Sequence, residues 1–119
     1  MHSIDNGDSI SWYNDSNQRH RVDGPAIIWK DDGEQLWYQH GVLHREDGPA
    51  IEFADGSKEW YFRGLMHRIG GPALEDIYGN DEWCLNGQCY TDIDEYCAAA
   101  GISGKHKTMM LLKYPCAVS

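Results

Sequence analysis

A chain of 119 residues is one domain with room for a modest core, and a hydrophobic content of 41% argues against a disordered chain. Asp and Glu number 19 against 10 Lys and Arg, a formal net charge of −9; the segment from Gly101 onward holds three Lys and no acid, which leaves a net −12 on the first 100 residues. Such a surface repels phosphate backbones and anionic lipid heads, so sequence-general nucleic-acid binding and electrostatic membrane docking are disfavoured, while a basic protein partner stays open.

The first residues, MHSIDNGDSISW, contain no apolar signal region, and no apolar stretch is long enough to span a membrane, so a soluble cytoplasmic chain is expected. A degenerate half-unit opens the chain: Asn6-Gly7, Trp12-Tyr13 and Asn17 precede His20 much as Asp32-Gly33, Trp37-Tyr38 and Gly41 precede His44. Asn17 in the place of Gly41 fits a position that needs φ > 0. An exposed first strand around Ser9–Tyr13 would pair edge to edge and make a homodimer.

Three full units follow. The heptads HRVDGPA, HREDGPA and HRIGGPA start at His20, His44 and His67; Trp37, Trp60 and Trp83 keep the same beat, as do Gly33, Gly56 and Gly79, and Gly41, Gly64 and Gly87. The turns are Asp31-Asp32-Gly33, Asp55-Gly56 and Tyr78-Gly79-Asn80, and the short apolar runs beside them suit strands of a β-hairpin. Unit one has one extra residue between Pro25 and Gly33, to be absorbed as a bulge or longer turn. The expected fold is mainly β: tandem hairpins in one elongated antiparallel sheet over residues 1–90, with units near 6–19, 20–43, 44–66 and 67–90. Seven or so strands give a strip roughly 30 Å long. The ladder of Trp37, Trp60 and Trp83 with Ile27, Ile51 and Leu74 is assigned to the packed face, and the opposite face carries Tyr38, His40, Tyr61 and Arg63.

After Gly87 the pattern breaks. Thr91 reads as the N-cap of a helix with Ile93, Tyr96, Cys97 and Ala100 on one stripe and Gly101 as its C-cap. Ser103 opens a second helix to about Lys113, with Met109 and Leu112 facing inward and Pro115 preventing continuation. This pair, residues 91–119, reads as the C-terminal cap that a repeat array needs.

The landmarks resemble MORN repeats, which are 23-residue hairpins with Asp-Gly at the turn and an aromatic followed by Asn/Gly and His. The form G-x-x-HR-x-DGPA is similar to a variant of tailed bacteriophages and related mobile elements. The resemblance covers about residues 6–90, departs at Gly70 where Asp23 and Asp47 stand in the other units, and implies protein–protein contacts, with phospholipid binding sometimes associated. It also implies a phage-encoded chain.

His with Asp three residues on invites an acid/base or metal reading, yet a motif that recurs once per unit most simply serves the unit: Gly for a sharp turn, Pro to begin a strand, Arg with Asp to fix the loop. Cys84-x4-Cys89-x7-Cys97 with His67 or His106 is too widely spaced for an ordinary zinc site, so the four cysteines, Cys116 included, are read as reduced thiols and small hydrophobes, with no metal and no cofactor expected. No nucleophile motif or phosphate loop appears, so no enzyme is expected.

Two readings stand. The first is an acidic binding protein that docks on a protein partner through Tyr38, His40, Tyr61 and Arg63, one version of it masking a basic nucleic-acid-binding surface in a bacterial defence system. The second is a small-molecule binder sequestering a nucleotide signal at a row of His/Arg pairs, with Arg45 and Arg68 meeting phosphate. A structural phage component is a third reading.

Overall fold

The computed structural model describes residues 2–114. β1 (His2–Asp5) and β2 (Ser9–Tyr13) form the opening hairpin. Unit one contributes β3 (Ile27–Trp29) and β4 (Gln35–Leu36), then β5 (Tyr38–Gln39) and β6 (Val42–Leu43). Unit two repeats this as β7 (Ile51–Glu52), β8 (Lys58–Glu59), β9 (Tyr61–Phe62) and β10 (Leu65–Met66). Unit three supplies β11 (Leu74–Glu75), β12 (Trp83–Leu85) and β13 (Gln88–Tyr90), followed by α1 (Ile93–Ala100) and α2 (Gly104–Lys113). The fold is thus mainly β, an array of hairpins with two C-terminal helices.

Each unit makes two hairpins of different kinds. The first, around the Asp-Gly turn, joins a seven-stranded antiparallel sheet in the order β1-β2-β3-β4-β7-β8-β11. The second forms a two-stranded ladder of its own: β5–β6, β9–β10 and β12–β13. The chain steps from one to the other at the Trp. Trp37 N donates to Ala50 O at 2.7 Å while Trp37 O accepts from His44 N at 3.0 Å, and Trp60 does the same with Ala73 and His67.

The second hairpins turn through two residues with positive φ, the conformation that matches strand twist. These are His40 (50°) with Gly41 (82°), Arg63 (52°) with Gly64 (82°), and Asn86 (49°) with Gly87 (85°). This corrects the placing of His40 and Arg63 on a sheet face, because strand alternation stops where the turn begins. Asn17, at φ 59°, does occupy the left-handed region as its place in the repeat requires.

The faces also differ from expectation. Register places Ile27 opposite Leu36, Leu36 opposite Ile51, Ile51 opposite Glu59, and Glu59 opposite Leu74, so these share one face. Trp37 and Trp60 immediately follow Leu36 and Glu59 and belong to the other face, together with Glu52 and Glu75. The Trp and Ile/Leu ladders are therefore back to back. What is fully buried between the strands and the loops crossing them is small: Ala26, Ala50 and Ala73, the last residue of each heptad.

The helical pair closes the far end. Trp83, Tyr96, Cys97 and Met110 form one buried cluster with Leu85, Tyr90, Ile93, Leu111 and Tyr114 around it. The N-cap of α1 is Asp92, not Thr91; its carboxylate accepts from Asp94 N and Glu95 N. Gly101 closes α1 in the left-handed conformation. On α2 the inward residues are Met110 and Leu111, while Met109 and Leu112 are exposed, a one-residue shift from the expected stripe. Lys107, one turn before Met110, pairs with the largely exposed Asp94 of α1. Pro115 lies outside the described residues. The molecule measures 48 × 27 × 20 Å with a radius of gyration of 16.1 Å, well above the about 13.5 Å of a compact domain of this length. No helix among the described residues is long and apolar enough to cross a membrane.

Candidate functional site

The heptad builds the joint between units. His20 Nδ1 accepts the backbone N–H of His40, His44 Nδ1 that of Arg63, and His67 Nδ1 that of Asn86, at 2.9–3.0 Å. Each His thus satisfies the first turn residue of the next hairpin, so these nitrogens carry no proton. Burial, with nearby positive charge from His40 and the N-terminus, holds His20 below the ordinary histidine range.

The Arg of each heptad lies over the Trp of the preceding unit: Arg21 on Trp12 at 4.1 Å, Arg45 on Trp37 at 3.9 Å, Arg68 on Trp60 at 3.7 Å. The same guanidinium donates to the carbonyl of Pro25, Pro49 or Pro72. It also pairs with a carboxylate, Asp23, Asp47 or Glu75 respectively. Gly24, Gly48 and Gly71 have no side chain because the guanidinium fills that space; an added Cβ would stand 2.7–2.8 Å from it. In unit three Glu75 takes the role that Asp has elsewhere, which accounts for the tolerated Gly70. After Trp83 the Arg position is Thr91, and the edges of Tyr96 and Tyr114 cover the indole instead.

Between successive loops the array leaves an open groove of 720 Å³. Its floor is Trp60 and Phe62, one wall runs from Arg45 to Pro49, and the other holds His67, Arg68 and Ile69. A smaller copy lies one unit back, against Trp37, Gln39 and His44. Arg45 and Arg68 do line the larger groove together, but with side chains only 20% and 23% exposed and the Nη1 of each already donating to a proline carbonyl.

Tyr38 and Tyr61 share the Ile/Leu face. Tyr61 Oη donates to Glu59 at 2.8 Å, and burial, reinforced by that carboxylate, pushes its pKa up to about 12. His40 and Arg63 stand apart from them at the turn edge, next to the exposed Val42 and Leu65. The four residues assigned to one binding face are thus divided between a face and an edge. Ser9–Tyr13 is paired on both sides, by β1 and β3, so the free edge strand is β1 instead.

Two features escaped the sequence reading. The Asp-Gly turns line up along one edge, where neighbouring turns touch: Glu34 Oε2 accepts from Ala54 N and Ser57 Oγ from Ile77 N, both at 3.2 Å. The equal spacing of Gly33, Gly56 and Gly79, each within an acidic turn, was the available signal. Second, Cys84 and Cys89 form a disulfide across β12–β13, correcting the expectation of reduced thiols at those two positions. Their symmetric placing about Asn86-Gly87 makes them cross-strand partners. Cys97 is free and buried, its thiol pushed up by burial, and Cys116 lies outside the described residues.

A scan against family models and searches of curated proteins and of solved structures find no match to the chain.

Proposed function

We propose that this chain is a non-enzymatic docking protein whose Asp-Gly edge covers a basic surface on a protein partner. The observation that carries the reading is the state of the edge carboxylates. Asp31, Asp32, Asp55, Asp76 and Asp81 each use one oxygen to accept a backbone N–H of their own turn. None is in an ion pair among the described residues. Units one and two each add two strands to the sheet, so successive turns lie about 10 Å apart, close to a Debye length at physiological salt. Their fields therefore overlap along the edge. A rigid row of carboxylates complements the Lys/Arg surface of a nucleic-acid-binding protein. The MORN-like, phage-type repeats make a bacterial defence protein the first class to try, and the host cytoplasm the place of action.

The test is a pull-down of nucleic-acid-binding proteins from bacterial extract over a salt series, with Asp31, Asp55 and Asp81 changed together to Asn in a second bait. Asn keeps the acceptor oxygen and the turn while removing charge. Capture should fail at high salt, fall sharply with the triple variant and be competed by duplex DNA. Capture indifferent to all three sinks the proposal.

A second reading, sequestration of a nucleotide signal, draws on the groove at Arg45 and Arg68. A phosphate there would compete with the carboxylates already paired to the two guanidiniums, so it is the weaker of the two.

A further inference from the structure

The last hairpin brings together donors that serve neither the repeat joint nor the acidic edge. Cys84 and Cys89 are direct cross-strand partners, Cys84 fully buried and Cys89 exposed. Glu82 lies two residues before Cys84, and its carboxylate and the two sulfurs all sit within 4.8 Å of one another. Met66 Sδ approaches Cys84 Sγ to 3.7 Å from the neighbouring unit. The disulfide spans only five positions of a hairpin that Asn86-Gly87 already closes, where the chain-entropy gain from a cross-link is smallest. A purely stabilising role is weakest in such a place, whereas two sulfurs and a carboxylate converging at one surface point form a ligand set.

We propose that in the reduced protein Cys84, Cys89 and Glu82 bind a thiophilic d10 metal ion, with the Met66 thioether beside Cys84 as a further soft donor. Thiolates and carboxylates both ligate zinc, and sulfur donors favour such ions over hard cations. A dithiol reductant gives two electrons and two protons to the Cys84–Cys89 bond and is itself oxidised to a disulfide. Metal binding then forms two S–metal bonds and releases the two thiol protons to solvent. The oxidised hairpin cannot bind, because both sulfurs are committed to each other. Metal and disulfide are alternative closures of the same hairpin, at the joint where Cys84 O accepts Arg68 N and β12 meets the cap. Cys97, enclosed in the cap core, is outside the set.

The experiment titrates zinc into the full chain, fully reduced and then oxidised, read by native mass spectrometry. Cobalt substitution follows, for the thiolate-to-metal charge-transfer band. Expected is one zinc per reduced chain and none per oxidised chain. Cys89→Ser, at an exposed position, should weaken binding by at least about 100-fold, the upper end of what losing an outer-shell partner costs. Glu82→Gln should weaken it by a smaller factor, while Cys97→Ala and Cys116→Ser bind as the parent does. A reduced protein that takes no zinc, or binding that persists in Cys89→Ser, overturns the proposal. Parent-like binding by Glu82→Gln overturns the three-donor site.

Discussion

Arg45 stacks on Trp37, donates to Pro49 O and occupies the space where Gly48 would carry a side chain. Because one side chain performs all three tasks, its neighbours are coupled. Gly48→Ala should push the guanidinium off the indole and cost about 1–2 kcal/mol, the scale of a cation–π contact plus a hydrogen bond. In an Arg45→Ala background the same change should cost little. Chemical denaturation of the double-mutant cycle measures the difference, and additivity would count against the stacked joint. Tyr61 gives a pH signature. Its ordinary value is 10.0 and the fold raises it to about 12, so the folded state holds the proton more tightly than the unfolded chain. Its contribution to stability is complete below about pH 10 and is lost as pH rises through 12. Tyr96, raised by burial, adds to the same alkaline decline. Tyr61→Phe should make the fall in melting temperature over that window shallower and remove a phenolate step near pH 12 from an absorbance titration.

Elements show where local preference and packing disagree. Arg63 sits at φ 52°, a conformation that Asn and Gly adopt more readily, and Asn86 holds the equivalent place one unit on. Arg63→Asn should therefore stabilise the protein by about 0.5–1 kcal/mol, less whatever is lost from the Arg63–Phe62 contact; a destabilised variant would mean that contact dominates. On α2, Met110→Ala should cost about 2–5 kcal/mol as a buried truncation, whereas Leu112→Ala should stay within about 0.5 kcal/mol. Equal effects would contradict the observed rotation of the helix.

At the scale of the whole molecule, contacts run from each unit to the next, as the stacked turns and the His-to-turn hydrogen bonds demonstrate. Stability should then be a sum of unit and interface terms. Deleting residues 44–66, one complete period, joins Leu43 to His67 and recreates the same joint. The shortened chain should fold cooperatively and show a smaller radius of gyration by X-ray scattering. Deleting eleven residues of the same stretch should leave an unfolded or aggregated product, because the joint no longer meets its partner.

Much of this was legible in the chain. The 23-residue period, the Asp-Gly turns, the positive φ at Asn17 and the Gly101 cap of α1 follow from local rules, because a turn's chemistry is decided by the few residues within it. The structural role of HR-x-DGPA was legible as well, since a motif recurring at every joint belongs to the joint. Faces and partners were decided by tertiary structure. The step of the chain at each Trp moved the indoles away from the Ile/Leu column, and the Asn86-Gly87 turn set Cys84 against Cys89. Packing of Met110 against Trp83, Tyr96 and Cys97 set the rotation of α2 one residue from the expected stripe. The alignment of the acidic turns along one edge arises only when units stack: side-chain periodicity gives each strand two faces, but distant segments choose which face is covered and which charges become neighbours.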